Sequence, residues 1–326
     1  WKRKERMPRT KGPGRALRRQ KKMPANSKVP VLVMLLFIIA VQLLAIAITP
    51  AISATDNRVF ADPSSTSNPF VYMILILAFT ALLLLAIKKK KNWIVNGFIQ
   101  LSIATSIYYL IVAFVPPLLA LLPTAGALIL LRYYPEWYII DIFGIAVCAG
   151  ISSLFGVSMT ILPALLLLII LAVYDALSVY KTRHMVSLAE GVIKIKAPLL
   201  FVVPKSRSYS FRKDAATVSA SQIKNQSNGS AESSSPAARK KGAFFLGLGD
   251  AIIPTILDIS AYSSLPAGGF MGINLPTIGA MLGTYLGFLA LMTTSRDKPQ
   301  AGLPFLNSGV ILGFLAGCAA AGIAPF

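Results

Sequence analysis

Long apolar runs separated by short polar clusters fill the chain from Val29 to Ala324. A membrane-crossing helix needs about 20 predominantly apolar residues, with a range of about 17–25. Nine segments are read as such spans: Val29–Ile52, Phe70–Ile87, Trp93–Val115, Pro117–Leu131, Trp137–Gly156, Val157–Tyr180, Ala243–Leu265, Phe270–Thr293 and Leu303–Ala324. The fourth rises only about 22 Å at 1.5 Å per residue, so it is expected to lean on its neighbours or on thinned lipid. The fifth and sixth run together and are divided at Gly150–Gly156, where Gly and Ser interrupt the apolar stretch. The pattern predicts an all-α polytopic membrane protein. The first run has a rival reading as a signal sequence, because basic residues precede it and Ala51-Ile52-Ser53 is a weak small-x-small match. At 24 residues it is too long for a signal h-region and is read as a retained span.

Composition supports this class and excludes others. Of 326 residues, 55% are apolar and 13% charged, with a mean hydropathy of +0.68. A soluble domain carries about 25% charged residues. The net charge of +20 would suit a nucleic-acid binder, but the hydropathy would not, so no nucleic-acid partner is expected.

The charge instead sets orientation. With the N-terminus inside, the segments 1–28, 88–92, 132–136, 181–242 and 294–302 hold 31 of the 32 Lys and Arg, and Arg58 alone falls outside. Basic residues near span ends favour the cytoplasmic side. Nine spans, a cytoplasmic N-terminus, an outside C-terminus and a multi-pass location in the cell membrane therefore support one another. The chain divides into a basic tail (1–28), six spans (29–180), a cytoplasmic loop (181–242) and three further spans (243–326). The tail is expected to set topology and touch anionic lipid. Because the chain opens at Trp1 rather than Met, part of that tail is read as either added sequence or an upstream extension. Trp93 and Trp137 begin spans and read as interfacial anchors, and His184 as a snorkelling surface residue. Cys148, Cys318 and the single His184 offer neither a disulfide framework nor a metal site, and no cofactor is implied.

Within the loop, Met185–Phe211 keeps apolar character. Val192–Lys196 alternates, and Leu199–Val203 is apolar and ends at Pro204, which reads as an interfacial helix or a short strand. Ala215–Ala238 is rich in Ser, Ala and Asn and reads as a linker. The sequence contains no convincing internal repeat.

Eight of the twelve acidic residues lie in loops or tails. Asp141, Asp175, Asp250 and Asp258 lie inside spans, where an ionisable side chain costs about 2.5–3.5 kcal/mol on insertion scales and marks function by default. Asp141 is near the inner end of its span, within reach of water, and a structural role is expected. Asp175 lies six residues before Lys181, about 9 Å inside the cytoplasmic end, and Asp250 lies seven beyond Ala243, about 10 Å from the same side. The two helices are sequential and antiparallel, so the two carboxyls reach one depth. Asp258 is about 12 Å further out and reads as structural or substrate-lining. Two carboxyls facing each other in a low-dielectric site share a proton, activate water and titrate as a unit. The usual companion of a buried Asp is Lys or Arg, yet none lies within any assigned span. Gly247 and Gly249 remove side chains beside Asp250 and permit close backbone approach.

Tyr174-Asp175 in the sixth span and Gly247-Leu248-Gly249-Asp250 in the seventh resemble the YD and GxGD motifs of intramembrane aspartyl proteases, the presenilin and signal peptide peptidase families. The third family motif, Pro-Ala-Leu before the ninth span, is matched imperfectly by Ala301-Gly302-Leu303-Pro304. Pro163-Ala164-Leu165 matches it in the wrong helix and reads as ordinary span sequence. The resemblance covers residues 29–324 and looks like an archaeal presenilin homologue. It implies an intramembrane aspartic endopeptidase with Asp175 and Asp250 catalytic, residues 301–304 holding substrate, and transmembrane-helix proteins as substrates. Leu246–Pro254 looks rather like signal peptide peptidase, whose orientation is inverted, but the charge asymmetry is presenilin-like.

Other readings stay open at this level. A proton-coupled transporter or cation leak could use the same buried Asp pair. A prepilin-peptidase-like enzyme also uses GxGD, but its motif order and span count fit poorly. A scaffolding protein offers no reason for two Asp at one depth.

Overall fold

A computed structural model describes residues 29–55, 59–60, 62–89, 92–134, 136–179, 200–204, 243–266, 268, 272–294 and 301–325. Nine helices and two strands occur among them: α1 (Val29–Ser53), α2 (Asn68–Lys88), α3 (Asn92–Val112), α4 (Pro117–Tyr133), α5 (Trp137–Val157), α6 (Ile161–Leu177), β1 (Leu200–Pro204), β2 (Ala243–Gly247), α7 (Leu248–Ser264), α8 (Leu275–Thr294) and α9 (Leu303–Ala321). Five stretches are long and apolar enough to cross a membrane: Val29–Ser53, Trp93–Val112, Trp137–Val157, Leu275–Thr294 and Leu303–Ala321. Asn68–Leu83, Pro117–Tyr133 and Ile161–Leu177 are apolar but shorter.

The helix boundaries follow local chemistry. Pro117 opens α4 at a position where its missing N–H costs nothing. The continuous apolar stretch of α5 and α6 breaks at Ser158–Thr160, slightly later than the glycine-rich cut expected from sequence. There Thr160 N–H donates to Pro63 O at 2.9 Å, so the loop before α2 holds the turn. The eighth span was expected from Phe270, but α8 starts at Leu275. Gly272 has φ +79°, which halts regular structure, and Asn274 caps the helix. Its Oδ1 accepts from Thr277 N–H at 2.9 Å, while its Nδ2 donates to Ala261 O at 3.0 Å, joining the end of α7 to the start of α8. Gly322, at φ +66°, closes α9.

The all-α architecture holds, but the start of the expected seventh span is corrected. Ala243–Gly247 is strand, not helix, and pairs antiparallel with Leu200–Pro204 in the register Leu200↔Gly247, Val202↔Phe245, Pro204↔Ala243. An apolar Phe-Phe-Leu run suits either state. Flanking glycines weaken the helix, and a partner strand supplies the backbone bonds. Of the two readings left open for Leu199–Val203, the strand is the observed one. Val192–Lys196, Ala215–Ala238, the basic tail and His184 lie outside the described residues.

Two buried clusters organise the interior. One joins α6, α7, α8 and α9 through Leu168, Leu171, Ile256, Leu257, Ala280 and Phe314. The other joins α1, α5, the sheet and α8 through Ile38, Val41, Cys148, Phe201, Leu246 and Phe288. Leu303 belongs to the first cluster and Leu306 to the second, so the beginning of α9 sits where they meet. Outward-facing leucines such as Leu118, Leu122, Leu286 and Leu312 are strongly exposed, as helices in lipid require. The most extensive contact is between α8 and α9. There Gly279, Gly283 and Gly287 face Gly309, Gly313 and Gly317, and a Cβ added at Gly283 would strike the Gly309 carbonyl oxygen.

Candidate active site

Asp175 sits in the last turn of α6, one turn beyond the core residue Leu171, and is 6% exposed. Asp250 sits in the first turn of α7 and is half-buried. The depth match inferred from sequence assumed a helix from Ala243. It arises instead because each Asp occupies a helix end, with the strand pair filling the remaining length.

Both carboxyls meet the backbone that begins α9. Leu303 N–H donates to Asp175 Oδ2 at 3.2 Å, and the Gly302 amide also faces that carboxyl. A Cβ placed on Gly302 would lie 3.1 Å from Asp250 Oδ1 and 3.3 Å from its Cγ. Glycine at 302 therefore lets the chain pass against Asp250 while its neighbour holds Asp175. Both carboxyls thus lie against the same stretch, Gly302–Leu303. The first turns of α7 and α9 both point at this pair and supply the positive potential of helix N-termini. Gly247 serves similarly, since a Cβ there would approach Asp250 Oδ2 at 3.3 Å.

The remaining motif residues fall around this centre. Tyr174 is half-buried one position before Asp175, Leu248 and Gly249 begin α7, Ala301 and Leu303 are buried, and Pro304 follows in the first turn of α9. Pro163-Ala164-Leu165 is placed at the opposite end of α6, about 18 Å from Asp175 along the helix. Its Ala164 and Leu165 are core residues. A cavity of about 340 Å³ opens beside the site, lined by Ser102, Ser106, Phe143, Leu248, Gly249 and Ile252. Among the described residues no cluster of three metal-ligating side chains occurs.

The family model described as signal-peptide peptidase, presenilin aspartyl protease matches residues 34–323. The chain belongs to that family. Two solved structures of a presenilin family intramembrane aspartate protease are similar to it. The form in space group C222 is 32% identical with a TM-score of 0.60, and the form in P2 is 33% identical with a TM-score of 0.61. Each comparison covers 90% of this chain and 98% of the other. Among curated proteins nothing matches. As a presenilin-family member, the chain is an intramembrane aspartate protease, a hydrolase, and a multi-pass membrane protein.

The other two buried acids of this presenilin-family enzyme stand apart from the centre. Asp258 is fully buried, and its Oδ2 accepts from Gln42 Nε2 at 2.7 Å, pinning α7 to α1. Asp141 is 3% exposed, so the expected access to water is corrected. It turns inward because its Oδ1 accepts the Val202 N–H at 2.8 Å.

Asn307 was not anticipated from the sequence. It lies one turn past Leu303, 1% exposed, and its Nδ2 donates to Leu168 O at 2.8 Å, tying α9 to α6 beneath the two carboxyls. A lone Asn in an apolar run was the available signal. Asn307→Leu is expected to cost about 0.5–1.5 kcal/mol by removing a buried hydrogen bond between α9 and α6, read as a lower thermal midpoint in detergent than the wild type shows.

Proposed function

We propose that Asp175 and Asp250 form one catalytic dyad that hydrolyses peptide bonds within transmembrane helices of membrane proteins. The observation that carries the reading is the convergence of both carboxyls on Gly302–Leu303. One carboxyl, ionised, takes a proton from water as it attacks the scissile carbonyl. The other, protonated, polarises that carbonyl and stabilises the tetrahedral centre. Collapse passes a proton to the leaving amine, and the pair returns to one shared proton.

A helical substrate hides its carbonyls in hydrogen bonds and must unwind locally to be cut. An extended segment can then add to exposed backbone edges. Ala301–Pro304 and β2 both present backbone beside the dyad, and Pro304 donates no N–H of its own. The cavity beside Gly249 offers room for apolar substrate side chains. Half-burial of Asp250 provides a path for water. The catalytic roles assigned to Asp175 and Asp250, and the positioning role of Tyr174, Gly247, Leu248, Gly249 and residues 301–304, belong to this proposal.

The charge asymmetry supports nine crossings in the cell membrane, with the N-terminus in the cytoplasm and the C-terminus outside. Family membership favours proteolysis over the transporter or leak reading. The test is reconstitution in lipid vesicles with a labelled single-span substrate. Two fragments cut within the span are expected. Ion flux without fragments would overturn the proposal.

A further inference from the structure

Asp141 is a buried carboxyl that the dyad mechanism does not use. Its Oδ1 is taken by Val202 N–H at 2.8 Å, and its Oδ2 meets no donor among the described residues. The identity of the donor matters. In an antiparallel pair, alternate residues send their N–H and C=O to opposite edges. Val202 N–H goes to α5, so Val202 faces the outer edge of β1, while Phe201 and Val203 turn toward β2. Phe245, in register with Val202, then turns its backbone groups away from β1. The outer edge of β1 is thus occupied at its middle residue. The outer edge of β2 is unpaired among the described residues, and β2 runs through Gly247 straight into the turn bearing Asp250.

The same face of α5 fixes everything that follows. A Cβ on Gly144, three residues after Asp141, would meet Phe201 Cε1 at 3.0 Å and Leu248 Cδ2 at 3.3 Å. Cys148 Sγ donates to Leu248 O at 3.7 Å, and Ser152 Oγ donates to Ile252 O at 3.2 Å. Phe201 also packs on Phe37 of α1, with ring centroids 5.2 Å apart. Helix α5 is therefore a rail along which β1 and the start of α7 are set, and Asp141 is its polar anchor at the sheet end.

We propose that Asp141 is a positioning residue for proteolysis: by fastening the outer edge of β1 to α5, it leaves the β2 edge to take the extended substrate and fixes which peptide bond reaches Asp250. This rests on the dyad and strand-addition reading above. An acceptor, rather than a charge, is what Val202 N–H requires.

The test maps the cleaved bond by mass spectrometry of the products, with kcat and KM, for the full-length enzyme in lipid vesicles. Asp141→Asn keeps an acceptor and is expected to cut the wild-type bond with kcat within about 3-fold. Asp141→Leu removes the acceptor and is expected to lower kcat by about 10- to 100-fold, since misplacement by about 1 Å costs that much. KM should change far less, and the products should spread to neighbouring bonds. Val202→Pro deletes the donor from the other side. It spares the bonds of Phe201 and Val203 to β2, so it should reproduce the spread even if Asp141→Leu folds poorly. Wild-type kcat and one cut site in Asp141→Leu or Val202→Pro would overturn the proposal. So would an Asp141→Asn enzyme as impaired as Asp141→Leu. Failure of the underlying reading looks different, because Asp250→Asn would then still cleave.

Discussion

Asp250→Asn is expected to lower kcat for cleavage of a transmembrane substrate by a factor on the order of 10³ or more, while the protein remains folded. The amide matches the carboxyl in shape, so the contact with Gly302 survives. What disappears is the proton: an amide can neither accept one from water nor return it to the leaving amine. Asp175→Asn should behave alike, although its effect also passes through the Leu303 amide that the carboxyl now accepts. Gly302→Ala is the steric counterpart, because its new methyl would press on the Asp250 carboxyl. Thermal melts identical to wild type, with fragments absent from the vesicle assay, are the expected result for Asp250→Asn. Fragments at the wild-type rate would remove Asp250 from the chemistry.

Gly283→Leu is expected to destroy both stability and activity. The α8–α9 pair is a small-xxx-small interface in which backbones touch. A Cβ at Gly309 would run into the Gly283 carbonyl, one at Gly287 would lie 2.5 Å from Phe305 O, and one at Gly317 would lie 2.6 Å from Leu275 O. These obstacles are backbone and cannot rotate away. A leucine at 283 must separate the helices, and overpacking alone costs typically about 1–3 kcal/mol. The loss should be felt at the two carboxyls, since α9 begins with the residues that hold Asp175 and crowd Asp250. Gly126→Leu is the control. Nothing lies within 4 Å of a Cβ there, and the position is exposed on α4. The measurement is the thermal midpoint in detergent together with cleavage rate. A Gly283→Leu enzyme as stable and active as Gly126→Leu would contradict this view of the hairpin.

Much of this architecture was legible because the membrane simplifies the code. Apolar runs found the helices to within a few residues, as at Val29 and Trp137, because one period and one length suffice in lipid. The candidate site was legible for a related reason: acids are so costly in these runs that four Asp could be inspected one by one. The strand at Ala243–Gly247 was missed because aromatic and aliphatic residues there carry no alternation, and its partner lies forty residues earlier in the chain. The partner of Asp141 was invisible because it is a backbone amide, which no side-chain pattern announces. Gln42 and Asn307 were overlooked because each is a single amide in a long apolar run, and only the folded chain shows what each one bonds.

The central claim is that two carboxyls hold one tetrahedral centre. Its most direct test is the binding of a hydroxyl-bearing transition-state isostere of a cleaved peptide bond, measured on the purified enzyme in lipid vesicles. Analogues of this kind bind at least about 10²-fold more tightly than substrate, and the hydroxyl must sit between the two carboxyls. Tight binding to wild type, competitive with substrate, is expected, with a loss of about 100-fold or more in both Asp175→Asn and Asp250→Asn. Binding to either folded variant that matches wild type would contradict that claim.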